Sequence, residues 1–260
     1  MSETPDRSTV DPYAEVLISE NDRLAVLLAT ADPALEVPTC PGWTLQQLLR
    51  HVGRGHRWAA QMIASGATEV LNPRDVAGGK PPEGGPEVAA RWLRDGVTEL
   101  LDAVTQAGPQ APVWTFTGPR PAAWWVRRRL HEATVHRADA AIALGEPFRI
   151  APELAADGLS EWLDLVAARP AGAEPPLAEG ATLHLHATDD ELGVAGEWMI
   201  RADGGRIGWE HGHGKGDAAV RGTAADLLQG VLRRIPADDD RLQVLGDPQV
   251  WRGWLSGTEF

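Results

Sequence analysis

The stretch Leu130-His-Glu-Ala-Thr-Val-His-Arg-Ala-Asp-Ala140 decides how the chain is read. Glu132 and His136 stand four positions apart, which on a helix places them on one face, one turn apart. Neither Gly nor Pro interrupts the chain from Ala122 to Leu144, so the spacing predicts one unbroken helix that starts near Pro121. A carboxylate and an imidazole on one face are two ligands for a divalent metal. On spacing alone a surface pair is the simpler reading, and a third ligand from elsewhere would change it. The His-Glu-x-x-His arrangement of zinc proteases is absent, because Val135 occupies the place of its second histidine.

Working outward, helical spacing recurs before this stretch. Val16, Leu17, Leu24, Leu27 and Leu28 predict a helix over 13–29. Thr44 with Gln47 three residues on is a capping-box pattern, followed by the stripe Leu45, Leu48, Leu49 and Val52. His51 lies on the flank of that stripe. A lone histidine there reads first as a satisfied boundary residue. A Gly- and Pro-rich loop over 72–86 precedes a third helix over 87–107, and the fourth carries Glu132 and His136. Four helices with such connections suggest a bundle, whose facing helices can build a metal site. After Pro147 the pattern changes. A helix over 155–168 and a Pro/Gly-rich linker lead into strands at 182–188, 197–202 and 206–211, the last two split by Asp203-Gly204-Gly205 as a hairpin turn. A helix over 224–233, a strand over 242–245 and a helix over 248–255 complete an α+β half. The domain boundary falls near Phe148, giving domains over 1–148 and 149–260.

The totals narrow the function classes. A net charge of −13 argues against nucleic acid as a partner. No apolar run approaches the ~20 residues of a membrane helix, and the polar start of the chain carries no apolar signal core, so a cytoplasmic protein without membrane partners is expected. A single cysteine, Cys40, excludes an internal disulfide and a cysteine-rich zinc cage. Eleven Trp against one Tyr point to aromatic filling of cores and pocket walls without identifying a ligand.

Several stretches together resemble the mycothiol-dependent maleylpyruvate isomerases. They are Cys40-Pro-Gly-Trp-Thr44 running into Leu48-Leu-Arg-His-Val52, Trp114-Thr-Phe-Thr-Gly-Pro119, His131-Glu132 through Asp139, Leu183-His-Leu-His-Ala-Thr-Asp189 and Val220-Arg-Gly222. The resemblance implies a DinB-like four-helix metal-binding domain followed by a smaller α+β domain similar to sterol carrier proteins. It implies His51, Glu132 and His136 as a zinc triad, which supplies the third ligand. It also implies mycothiol as the low-molecular-weight thiol, activated for addition to an electrophilic small molecule. The outcome is isomerisation of a maleylpyruvate-type substrate, or S-transfer if the adduct is kept. The alternative is a metal-containing small-molecule binding protein without catalysis.

Other residues carry competing readings. Cys40 reads as a packed small residue rather than a nucleophile, and His131 is rotated ~100° from the Glu132–His136 face. His184 and His186 share one face of a strand, but no third ligand is near in sequence, so a structural or pocket role is expected. His211 and His213 read as a loop or strand end. Arg127, Arg128 and Arg129 read as a solvated helix face, with a pocket role open for Arg128 or Arg129. Arg221 either pairs locally with Asp217 or Asp226, or reaches the domain interface and grips a substrate carboxylate, the role the resemblance favours.

Overall fold

The computed structural model describes residues 12–170 and 174–258. The chain divides into two compact units between Phe148 and Arg149. The expected disordered lead over 1–10 and part of the Pro/Gly-rich linker lie outside the described residues.

The first unit holds four helices: α1 (Ala14–Ala29), α2 (Leu45–Ala64), α3 (Pro86–Ala107) and α4 (Trp124–Leu144). The capping box forms: Gln47 N–H donates to Thr44 Oγ1, and Thr44 N–H donates to Gln47 Oε1 at 2.7 Å. Gly145 ends α4 in the left-handed region at φ 68°, which closes the last turn. The third helix starts on Pro86, a residue earlier than its apolar pattern, because Pro is favoured at the first helical position. Pro152 does the same for the helix of the second unit. The segment 113–119 is bounded by two short antiparallel strands, β1 (Pro112–Val113) and β2 (Arg120–Pro121).

An aromatic cluster that runs from the core to the surface of this unit explains the tryptophan excess in part. Trp58, Trp114 and Trp125 pack with Phe116, with ring centroids 5.3–6.4 Å apart, the spacing of favourable aromatic pairs. Helix α4 departs from the usual amphipathic pattern. Its buried residues include Arg129, His131, His136, Arg137 and Asp139 beside Trp125, Val126 and Leu130. Buried polar groups are costly unless paired, and Arg137 is: its guanidinium binds Glu20 of α1 at 2.8 Å.

The second unit consists of α5 (Pro152–Ala167), β3 (Thr182–Ala187), β4 (Glu197–Asp203), β5 (Arg206–His211), β6 (Ala218–Gly222), α6 (Ala224–Val231), β7 (Gln243–Gly246) and α7 (Pro248–Gly257). The sheet order is β5-β4-β3-β6-β7, with β3 and β6 parallel and the other neighbours antiparallel. Strand β6 was not expected. Its five residues are too few for a clear alternation, and the sequence shows only an apolar run there. The β4–β5 turn is the predicted one, with positive φ at Gly204 and Gly205, 57° and 72°. Leu183, Leu185, Trp198, Ile200, Ala218 and Val220 face a core shared with Leu159, Leu163, Leu227, Trp251 and Trp254. By alternation, His184 and His186 lie on the opposite face. Among the described residues, no helix is long and apolar enough to cross a membrane.

Candidate metal centre

Helices α2 and α4 bring His51, Glu132 and His136 together. Glu132 Oε2 lies 3.4 Å from His51 Nε2 and 3.7 Å from His136 Nε2, and the two imidazole centroids are 4.9 Å apart. A tetrahedral shell with metal–ligand bonds of ~2.0–2.1 Å has edges of about 3.3–3.4 Å. These separations therefore fit three ligands of one divalent ion, and the donor chemistry, two imidazoles and a carboxylate, suits zinc among the common metals.

Each donor is oriented by a neighbour. Asp139, fully buried, sits 2.8 Å from His136 Nδ1, so the ring donates there and turns the lone pair of Nε2 towards Glu132. Thr39 Oγ1 donates to the other Asp139 oxygen at 2.6 Å, and Cys40 Sγ lies 3.4 Å from Asp139 Oδ2. Glu132 Oε1 is held by the Arg128 guanidinium, while Arg129 Nη1 stands 3.5 Å from Oε2. One carboxylate oxygen is thus anchored and the other faces the histidines. Trp43 packs across both imidazoles, 4.9 Å from His51 and 6.2 Å from His136.

The electrostatics follow from this packing. Burial opposes the charged form of Glu132, but the charge of Arg128, the hydrogen bond to His51 and the charge of Arg129 outweigh it, and the carboxyl stays well below its ordinary pKa. Withdrawal from water lowers His51; its bond to Glu132 offsets part of that and the nearby His136 adds to it. Both groups are therefore in their metal-binding forms, carboxylate and neutral imidazole, at neutral pH. Behind them, fully buried His56 lies 3.0 Å from Asn21 Oδ1 and 3.4 Å from Arg129 Nε. Burial first, then Arg129 and Arg57, hold His56 well below its usual value.

His51 and Glu132 of the triad open onto a cavity of about 500 Å³, lined also by Trp43, Trp58 and Phe116 and by four arginines, Arg50, Arg54, Arg128 and Arg129. Four guanidiniums against one carboxylate make this a cationic pocket in an acidic protein. Gly55 on α2 is what admits Arg129. A Cβ there would collide with the guanidinium, so only glycine leaves room for it to pass from His56 to Glu132.

The sequence reading is corrected at three places in this unit. Of the two readings for Arg128 and Arg129, the solvated face gives way to the pocket role: their side chains are 12% and 6% exposed, both engage Glu132 and both line the cavity. Cys40 is half-buried and its thiol points at Asp139, so it belongs to the surroundings of the triad rather than to an apolar core. Asp139 was missed as a positioning residue, although its i,i+3 spacing from His136 was a usable signal.

In the second unit, Arg221 is exposed on β6, in register with His186 of β3 and Gln243 of β7. The expected local pairs do not form. Asp217 accepts from the backbone and hydroxyl of Thr182, both at 2.8 Å, and Asp226 binds Thr223 and stands 3.7 Å from Arg241. The sheet also supplies what His184 and His186 lacked in sequence: Glu197 and His213 converge on them.

Comparison with known proteins agrees with this architecture. Residues 15–141 match the mycothiol maleylpyruvate isomerase N-terminal domain, and residues 153–253 match the MDMPI C-terminal domain. The fold is similar to the crystal structure of the mycothiol-dependent maleylpyruvate isomerase, with a TM-score of 0.60 and 16% identity over 90% of this chain and 91% of that one. A histidine-to-alanine mutant of that enzyme aligns with a TM-score of 0.57 and 15% identity over the same shares. A search of curated proteins found no match.

Proposed function

The chain belongs to the mycothiol-dependent maleylpyruvate isomerase family, and from that premise we propose that it isomerises a small, carbonyl-conjugated carboxylate with mycothiol as thiol and a divalent ion, zinc by its donor set, held by His51, Glu132 and His136. The observation that carries the proposal is the convergence of these three donors, of which His51 and Glu132 line an arginine-rich cavity. When bound, the ion stabilises the thiolate of an entering thiol at neutral pH. Held by three protein residues, the ion would keep a position open to a thiol, the pattern of a catalytic rather than a structural site.

The residues of the chain do the rest. Asp139 fixes the tautomer of His136, and Arg128 holds Glu132 as a carboxylate. Arg50 and Arg54 line the same cavity and offer planar, permanently charged forks to substrate carboxylates. Trp43, Trp58 and Phe116 provide apolar walls that lower the local dielectric and strengthen these contacts. In the reaction, the thiolate sulfur bonds to one carbon of the cis double bond and the π pair moves onto the conjugated carbonyl. Rotation about the resulting single bond follows. Return of the pair breaks the sulfur–carbon bond, restores the double bond as trans and frees the thiolate. If the adduct is released intact, the same site performs S-transfer. We assign Arg221 of the α+β unit, exposed and without an ion-pair partner among the described residues, to binding a substrate carboxylate.

The test is an assay of the zinc-loaded protein with maleylpyruvate and mycothiol, following the ultraviolet spectrum of the acceptor and the free thiol together. The proposal expects trans product at constant total thiol, dependent on both metal and mycothiol. Stoichiometric thiol consumption moves the activity to S-transfer. An unchanged acceptor with metal and thiol both bound leaves a binding protein.

A further inference from the structure

A second group of residues with metal-ligating side chains lies in the α+β unit. His184 and His186 project from one face of β3, and Glu197 opens β4 directly opposite His186, so all three share that face. The segment after β5 turns back and brings His213 over them. Glu197 Oε2 receives three imidazoles: His213 Nδ1 at 2.7 Å, His184 Nε2 at 3.0 Å and His186 Nδ1 at 3.8 Å. The three ring centroids lie 5.4–6.0 Å apart. One donor atom from each residue falls within 4.8 Å of every other.

We propose that His184, His186, Glu197 and His213 form a second, structural site for a divalent transition ion, with zinc the metal its donors suit best. Three imidazoles and a carboxylate complete a four-coordinate shell, the closed arrangement of a structural site, in contrast to the three-ligand centre of the helical unit. Three nitrogens from two separate segments gather around one carboxylate oxygen, an arrangement that a shared cation organises. The shell is partly built before any ion enters. His184 is 5% exposed and Glu197 is 17% exposed, while His213, 75% exposed, already reaches Glu197 from the solvent side. Its loop is already seated, because Gly214 packs so closely on Met199, the register partner of His184, that a Cβ would lie 3.0 Å from the Met199 sulfur. Arg221, opposite His186 on the parallel strand, shares this face and opposes a cation; the Glu197 carboxylate offsets that charge. The bound ion ties the loop after β5 to the centre of the sheet, at the strand that also neighbours Arg221.

The full chain is tested with zinc and cobalt by metal analysis and thermal melting. Two ions per chain are expected for the wild type. The His51→Ala/His136→Ala double variant, which disables the helical centre, should keep one cobalt ion with the visible absorption of a tetrahedral site and should melt higher with metal than without. Adding His213→Ala or Glu197→Gln should remove that ion and the metal-dependent rise in Tm. His213 is exposed, so its removal leaves the fold intact, and circular dichroism checks this. The proposal is overturned if the double variant binds no cobalt, or if its cobalt survives both further substitutions. Neither result touches the helical centre, whose own occupancy is read in the His213→Ala single variant.

Discussion

Asp139 Oδ2 lies 2.8 Å from Nδ1 of His136, three positions earlier on the same helix, and Asp139 is fully shielded from water. A buried carboxylate that accepts from an imidazole and from the Thr39 hydroxyl fixes both the tautomer and the tilt of the ring. Asp139→Asn keeps the shape but loses the charge. It should weaken zinc binding about 10–100-fold while α4 stays folded, as read by isothermal titration with zinc and by circular dichroism. Unchanged affinity would reduce Asp139 to a packing role.

Gly55 faces the Arg129 guanidinium across the interface of α2 and α4. Gly55→Ala should force that side chain away from Glu132 and cost about 1–3 kcal/mol of stability, as overpacking does, even though Ala is the better helix former. Urea denaturation measures the loss, and metal titration should show weaker binding in the same variant.

His56 gives a pH dependence to stability. Its folded pKa is depressed by burial and by Arg129, so below about 6.5 the unfolded chain takes up a proton that the folded chain refuses. The contribution of neutral His56 is complete above that pH and is lost progressively as pH falls towards the folded pKa. Apo protein should lose up to about 1.4 kcal/mol per pH unit from this group between its two pKa values. Urea midpoints at pH 7.5 and 5.5 should differ less in His56→Gln than in wild type.

Cys40 touches Asp139 and lines none of the described cavity, so the reaction does not require its sulfur. Cys40→Ala should keep most of the mycothiol-dependent activity. A folded, metal-loaded Cys40→Ala protein without turnover would make the thiol a participant.

Arg221→Lys keeps the charge but loses the planar fork. Turnover should fall by about tenfold or more, the cost of losing a bidentate charged contact of ~1.5–3 kcal/mol, with metal content unchanged. Equal kinetics in the two proteins would remove Arg221 from the substrate site.

The physical reasons for what the sequence revealed are uneven. The four helices were legible because Leu17, Leu48, Leu93 and their neighbours repeat at helical spacing, and because Thr44–Gln47 is a local signal. Glu132 and His136 were legible as a pair for the same reason, since one helix sets their geometry. His51 needed the family resemblance, because its contact with Glu132 spans 81 positions. The sequence left a pocket role open for Arg128 or Arg129 but could not decide it, because arginine on a helix is usually solvated and the close approach at Gly55 that admits Arg129 is a long-range feature. Strand β6 and the meeting of His184, His186, Glu197 and His213 depend on sheet register, which short strands encode weakly.

The most direct measurement of the central claim is an anomalous-difference map at the zinc absorption edge from zinc-loaded crystals of the full chain. The account predicts a peak among the three side chains, ~2.0–2.1 Å from Nε2 of His51 and of His136 and within bonding distance of Glu132. Zinc-loaded crystals with no peak there, and with His51, Glu132 and His136 still converging on empty density, would contradict it.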